Sequence, residues 1–197
     1  MTKRLFDLIL SFLGLFILFP FFVVIAIAIK RDSFGPIFYK GKRIGRFGKP
    51  FLIYKFRTMV VNADKKGASS TADDDTRLTK IGIFLRKYKL DELPQLINIL
   101  KGEMSFVGPR PQVAWAVKLY SDEEKKILNV RPGITDYASI KFSNEGEILK
   151  GSSDPDKAYM EKIHPEKMKL GLQYAQNHSL WIDIKILYKT FITIIVR

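Results

Sequence analysis

The sequence predicts an α+β fold that is mostly helical, with a small β-hairpin or sheet, an N-terminal re-entrant membrane helix and interfacial amphipathic helices. Three observations carry that expectation. The run from Leu8 to Ile29 is almost wholly apolar. Two short aromatic and β-branched runs, Ile37-Phe38-Tyr39 and Phe51-Leu52-Ile53-Tyr54, flank a basic, glycine-containing segment. From Thr79 onward, apolar residues recur at helical spacing.

Composition sets the bounds. A chain of 197 residues is about one domain's worth and is long enough to bury a core. The absence of cysteine excludes disulfides, thiolate chemistry and Cys-based zinc sites. His164 and His178 are the only histidines and form no metal-ligand motif. Lys and Arg number 33 against 20 Asp and Glu, a net charge of +13. That excess implies an anionic partner: nucleic acid, an anionic membrane surface or phosphorylated substrates. An aromatic content of 13% tilts the choice toward the membrane.

The apolar run comes first. It matches the ~20 residues needed to cross a bilayer and is longer than a signal-peptide core, with no small-residue cleavage site after it. It therefore reads as a retained anchor over residues 1–32, followed by a membrane-associated domain over 33–197. Hydropathy alone favours an ordinary spanning helix. Three details favour a helix that dips into one leaflet and returns. Lys3 and Arg4 precede the run and Lys30 and Arg31 follow it, so both ends look cytoplasmic. Pro20 falls near the middle and predicts a kink. Asp7 suits an end near the interface. Hydroxyls such as that of Ser11, or neighbouring protein, would satisfy the backbone at the bend.

Ser33-Phe34-Gly35-Pro36 is a turn signal, and the two strand-length runs follow. The segment between them, Gly41-Lys42-Arg43-Ile44-Gly45-Arg46-Phe47-Gly48-Lys49, reads equally as a basic hairpin loop or as a phosphate cradle with Lys42 and Arg43 as counter-charges. Lys55 and Arg57 share one strand face. Residues 62–77, with Gly67, Ser69, Ser70 and Asp73-Asp74-Asp75, read as a polar mobile loop whose acidic run is solvated. Ile81, Phe84, Leu85 and Tyr88 make an apolar stripe on a helix from Thr79 to Leu90, with Lys80, Arg86, Lys87 and Lys89 opposite. Such a helix packs on a core or lies at an anionic membrane surface.

A second helical pattern, Leu93, Leu96, Ile97 and Leu100, predicts Asp91 as its N-cap and Pro94 in its first turn. Ser105 to Pro111 reads as a rigid loop in which Pro109 and Pro111 hold Arg110 extended, poised for bidentate phosphate recognition or for capping a carbonyl. Tyr120 to Lys125 is a helix start, and Arg131-Pro132-Gly133-Ile134-Thr135 a turn. Lys141 to Asp156 looks loop-like and suits substrate specificity. Tyr159 to Tyr174 is helical, and Trp181 to Arg197 resembles an interfacial helix.

Asp91-Glu92 carries the chemistry. An acidic pair before a helix is most often a cap and a first-turn acid. In this basic setting it could instead divide two jobs, because the helix N-terminus favours an ionised Asp91, which can attack phosphorus. Neighbouring helical side chains diverge by about 100°, so one of the pair could be a nucleophile while the other holds Mg²⁺, a hard ion that takes oxygen ligands and substrate phosphates.

Together the motifs resemble the bacterial sugar transferase family, in its small monotopic phosphoglycosyl transferase form. The matching stretches are Lys3-Arg4-Leu5-Phe6-Asp7, Gly41-Lys42-Arg43-Ile44-Gly45, Lys55-Phe56-Arg57-Thr58-Met59, Thr79-Lys80-Ile81-Gly82, Leu85-Arg86 through Leu90-Asp91-Glu92-Leu93-Pro94-Gln95, Asn98 to Ser105, Val107-Gly108-Pro109-Arg110-Pro111 and Arg131 to Thr135. They run in family order across nearly the whole chain. The resemblance implies transfer of a phosphosugar from a UDP-sugar to undecaprenyl phosphate, with release of UMP, as the first membrane step of glycan assembly. It implies Asp91 as nucleophile in a covalent phosphosugar intermediate and Glu92 as the Mg²⁺ ligand. Arg110 with Pro109 and Pro111, and the basic residues Arg43, Lys55, Arg57, Arg86 and Arg131, would bind substrate phosphate. It also implies a re-entrant helix broken at Pro20, although Phe19 stands where the family commonly has serine. The expected setting is the cytoplasmic face of a bacterial inner membrane, with membrane lipids and a second copy of the chain as partners and no nucleic acid. Two rivals fit the residues less fully: a non-catalytic basic module binding lipid or nucleic acid, and a Mg²⁺-dependent lipid phosphatase.

Overall fold

One long helix, α1 (Thr2–Asp32), opens the chain in a computed structural model, which describes residues 2–63, 67–68 and 70–195. Ser69 and Arg197 lie outside the described residues. The fold is mostly helical with a small β component, as the sequence predicts. One face of α1 is covered along its length. Ser11 and Ile29 are fully buried, Gly14 approaches Leu96, and Leu15, Leu18, Phe22 and Ile25 pack against buried residues of the body. These positions recur at three- and four-residue steps, as one helical stripe requires. The opposite face leaves Phe12, Phe16, Ile17, Phe19 and Val24 exposed. Helix α1 is assigned without interruption through Pro20, whose missing N–H leaves the Phe16 carbonyl without its usual donor. Ser11, expected at the bend, donates instead to Leu8 O at 3.1 Å. Asp7, expected near the interface, is buried and accepts from Ser105 Oγ and Phe106 N at 3.1 and 3.2 Å.

Strands β1 (Phe38–Ile44) and β2 (Pro50–Phe56) form an antiparallel hairpin with Tyr39 opposite Lys55 and Gly41 opposite Ile53. Lys42 and Arg43 therefore lie in a strand, and the expected basic loop shrinks to a tight turn whose tip, Phe47, has φ 58°. A β-carbon at Gly41 would stand 2.8 Å from the Tyr39 ring and 3.0 Å from an Arg43 guanidinium nitrogen, so these two side chains meet over bare backbone. Ile53 turns inward onto Leu96, Ile99 and Met104, and Phe56 onto Ile29 and Leu85.

Helix α2 (Lys80–Lys87) is capped by Thr79, whose hydroxyl accepts from Gly82 N. Of its predicted stripe Leu85 is buried, whereas Phe84 and Tyr88 face outward. Lys89 then adopts φ 56°, a left-handed conformation that costs a residue bearing a Cβ about 1 kcal/mol, and reverses the chain. Residues Leu90–Glu92 form a 3₁₀ turn, and α3 (Gln95–Lys101) follows with Pro94 at its N-cap. Asp91 is therefore not the cap the sequence predicts, because the turn begins before it and proline occupies the capping position.

The expected loop and turn at 105–111 and 131–135 hide a second sheet. Strand β3 (Ser105–Val107) pairs in parallel with β4 (Gly133–Thr135). Strands this short carry no periodicity to read. Gly133 N donates to Pro109 O, so the pairing leads straight into Pro109-Arg110-Pro111. A β-carbon on Gly133 would lie 2.1 Å from Gly108 N. Gly133→Ala should therefore destabilise by about 1–3 kcal/mol through overpacking, read as a fall in the thermal midpoint. An unchanged midpoint would refute the close approach.

Short helices α4 (Ala114–Lys118), α5 (Tyr137–Lys141) and α6 (Glu145–Ile148) complete the middle of the chain, with a 3₁₀ segment at Glu124–Asn129 in place of the expected helix start near Tyr120. The loop expected from Lys141 to Asp156 thus contains α6. The helix expected over Tyr159 to Tyr174 is divided into α7 (Pro155–Lys162) and α8 (His164–Asn177), and α9 (Leu180–Ile195) ends the described chain. Asp73 and Asp74 are exposed, as expected, but Asp75 is clamped by Arg77 at 2.6 Å.

Candidate active site

Asp91 and Glu92 are adjacent in sequence but face different surroundings. A 3₁₀ turn holds three residues per turn, so their side chains diverge by about 120°. Both are buried. Glu92 is engaged on both oxygens: Arg110 grips the two, at 2.5 and 3.1 Å, and Lys55 Nζ sits 2.8 Å from Oε1. Asp91 accepts no hydrogen bond from any described residue, and its ion-pair partner Lys55 stands off at 3.7 Å.

The electrostatics follow this division. Burial pushes the Asp91 carboxyl above the usual range, the neighbouring Glu92 charge adds to the rise, and Lys55 opposes it. Burial pushes Glu92 the same way, but the Arg110 guanidinium and Lys55 outweigh it and hold Glu92 well below the carboxylate range. Glu92 in turn raises Arg110.

Three elements deliver these groups. Lys55 comes from β2, Arg110 from the loop after β3, and the carboxylates from the turn before α3. Asn98 on α3 joins them: wholly buried, it accepts from Tyr54 N at 2.9 Å and donates to Leu52 O and Glu103 Oε2, both at 2.7 Å. It thus fixes β2, and with it Lys55, against the helix that follows Glu92. Asn98 opens one of the family-like stretches, but nothing in its local pattern marks it as a link between elements.

The other expected residues divide. Arg43 reaches the site, where Arg110 and Glu92 both act on it electrostatically, and burial lowers its pKa. Arg86 lies within electrostatic reach of Asp91. Pro109 and Pro111 are buried beside Arg110. Arg57 turns away: its guanidinium donates to Ser33 O and Phe34 O at 2.7 and 2.8 Å and secures the end of α1. Arg131 also points elsewhere, donating to Gly102 O at 3.0 Å. Gln95, one helical turn after Asp91, is buried with its amide nitrogen unpartnered. Among the described residues no three acidic or histidine side chains converge on a metal position. Mg²⁺ takes one or two carboxylates beside substrate phosphates; here Glu92 Oε1 already accepts from Arg110 and Lys55, so Glu92 could serve such an ion only through the remaining lone pair of Oε2, while the Asp91 oxygens accept no hydrogen bond among the described residues.

A profile described as Bacterial sugar transferase matches residues 1–197. A UDP-glucose:undecaprenyl-phosphate glucose-1-phosphate transferase of Escherichia coli (strain K12) is 36% identical over 197 residues, covering 96% of this chain and 39% of its own. An uncharacterized sugar transferase, EpsL, of Bacillus subtilis (strain 168) is 40% identical, covering 95% and 84%. A UDP-N-acetylgalactosamine-undecaprenyl-phosphate N-acetylgalactosaminephosphotransferase of Aeromonas hydrophila is 34% identical, covering 98% and 43%. The chain thus spans only part of the first and third of these relatives.

Proposed function

The chain belongs to the bacterial sugar transferase family, and from that membership and the site geometry we propose that it transfers a phosphosugar from a UDP-sugar to undecaprenyl phosphate through a covalent intermediate on Asp91. The observation that carries this reading is the contrast within the acidic pair: Glu92 is hydrogen-bonded by two cations, while the Asp91 oxygens accept no hydrogen bond among the described residues and face Lys55 only at 3.7 Å. A carboxylate with unengaged lone pairs beside cations is what attack on phosphorus needs. An Asp91 oxygen attacks the β-phosphorus, the bond to the bridging oxygen breaks, and UMP leaves. An oxygen of the lipid phosphate then attacks the same phosphorus and Asp91 departs as carboxylate. Lys55, Arg110 and Arg43 offset the charge that develops on the phosphoryl oxygens. Glu92 would hold Mg²⁺, whose charge would add to that stabilisation. The test is UMP release from a UDP-sugar with undecaprenyl phosphate and Mg²⁺. Release of inorganic phosphate without a UDP-sugar would favour the phosphatase instead.

We propose further that α1 enters and leaves the membrane on the cytoplasmic face. Both ends are tied to the body, through Lys3 to Asp183 at one and through Arg57 to Ser33 at the other. Its inner stripe is covered by α2, α3 and β2, so an upright crossing would draw the half-buried Lys55 and the buried Glu92 into hydrocarbon. The phenylalanines exposed on α1, and Trp181, Tyr188 and Phe191 exposed on α9, are side chains of the kind that meet lipid. Cysteine at position 2 (Thr2→Cys) should resist an impermeant thiol reagent added to intact cells and react after lysis. Labelling in intact cells would mean a true span.

A further inference from the structure

A second polar cluster lies beside the phosphate-binding groups and takes no part in the chemistry above. Glu145, at the start of α6, receives Lys167 Nζ on Oε2 at 2.5 Å. Lys167 comes from α8 and is only 6% exposed, with its ammonium 4.9 Å from the centre of the Tyr159 ring. Tyr159 Oη meets Gln112 Nε2 at 3.3 Å, and Gln112 stands two residues after Arg110, fixed by Ile44 N donating to its carbonyl at 2.9 Å. The cluster is thus continuous with the loop that presents Arg110. Glu145 is close enough for Arg110 and Lys89 to act on it electrostatically.

A buried lysine is expensive unless it is paired, and here it holds one carboxylate oxygen in place. Glu145 Oε1 remains without a hydrogen-bond partner among the described residues, and the side chain is 31% exposed. Gln112 likewise keeps its side-chain carbonyl oxygen unengaged among them. A fixed carboxylate oxygen and a carboxamide oxygen, both acceptors, are groups that take sugar hydroxyl donors. Arg110 and Glu145 act on each other electrostatically, so a sugar on a β-phosphate held by Arg110 would lie within reach of Glu145 and Gln112.

We propose that Glu145 and Gln112, backed by Lys167 and Tyr159, form the subsite that reads the hydroxyls of the transferred sugar. The inference rests on the UDP-sugar reading given above. A site built to hydrogen-bond a hydroxyl discriminates strongly against an epimer that misplaces it, because its polar groups are then left unpaired.

The test uses the full chain in detergent, with UMP release measured over UDP-sugars that differ at C2 and C4. Glu145→Gln should raise KM for the preferred donor about tenfold or more and narrow the ratio between C4 epimers, with little change in kcat. The inhibition constant of UDP, which carries no sugar, should stay unchanged. Because Glu145→Gln leaves Lys167 buried and unpaired, Glu145→Gln combined with Lys167→Met serves as the folded control and should show the same loss of discrimination. If that double variant melts like the wild type and keeps the wild-type donor ranking and KM, the subsite is refuted. A UDP inhibition constant that rises in step with KM would also overturn it, since that would mark a general disturbance of the phosphate site. A wild-type chain that releases no UMP from any donor overturns the transferase reading itself and this subsite with it.

Discussion

Asp91→Asn should abolish UMP release, lowering kcat by on the order of 10⁴-fold or more, as loss of an attacking nucleophile does. The substitution keeps the shape of the side chain and removes only its charge, so folding should survive it. The thermal midpoint should hold or rise, because Asp91 is a buried carboxylate beside a second carboxylate, Glu92, and neutralising it relieves both penalties. Activity and stability thus move in opposite directions, which a merely structural cap would not produce: a lost cap lowers stability and leaves turnover largely intact. Intact-mass measurement provides the second readout. Wild type incubated with UDP-sugar in the absence of lipid phosphate should gain the mass of one phosphosugar, and Asp91→Asn should gain none. Normal turnover in Asp91→Asn would end the nucleophile assignment.

The same carboxylate should set the acid side of the pH–rate profile. In the proposed reaction only ionised Asp91 attacks, so kcat/KM should fall as pH drops through its folded pKa, which burial and the Glu92 charge raise above the ordinary value of 3.8. Glu92 is held well below its ordinary value by Arg110 and Lys55 against the push of burial, and so contributes no limb in that window. Lys55→Met removes the cation that most opposes the rise of Asp91, and the acid limb should move to higher pH. A limb that stays in place or moves down would contradict this arrangement. The two groups also pull stability in opposite directions. Glu92 contributes stability above its unfolded pKa that is lost as pH falls through the folded one. Asp91 favours the folded state while protonated, and that contribution fades as pH rises through its raised pKa.

Much of this site is legible in the sequence alone. The helix that opens at Thr79, the hairpin of aromatic runs and the constrained Arg110 follow from local rules, each involving residues a few positions apart. What the sequence hides depends on contacts between distant segments. Lys55 and Arg57 look equivalent on one strand face, yet one meets Glu92 and the other the end of α1, because β2 ends between them and the chain turns. The pairing of β3 with β4 rests on three-residue strands, too short for any period to show. Glu145 reads as one polar residue in a loop until Lys167, on another helix, buries itself against it. Asp91 looks like a helix cap for a related reason: local rules do not show that Pro94 takes the capping position, or that Lys89 in the left-handed region starts a tighter turn ahead of it.

The seat of α1 gives the second large effect. Lys3 donates to Val107 O at 3.1 Å and to the Asp183 carboxylate at 2.5 Å, and Asp183 also receives Tyr174 Oη at 2.6 Å. Asp183 is 1% exposed, so Lys3→Met would leave a buried carboxylate whose only remaining side-chain donor among the described residues is a tyrosine hydroxyl. Breaking such a pair from one side costs about 3–5 kcal/mol, and the 28% exposure of Lys3 places this case at about 3 kcal/mol. For a chain of this length the thermal midpoint should fall by roughly 6–12 °C. Adding Asp183→Asn removes the stranded charge while keeping an acceptor for Tyr174, and the double variant should recover a large part of the loss. If the double variant were instead less stable than Lys3→Met alone, the ion pair would not be what seats the helix. Recovery would show that the first turn of the anchor is held by charge against β3 and α9, a contact on the same body that carries Lys55 and Glu92. In the proposed reaction, an anchor fastened in that way would keep Asp91 at a fixed depth below the surface where a lipid phosphate arrives.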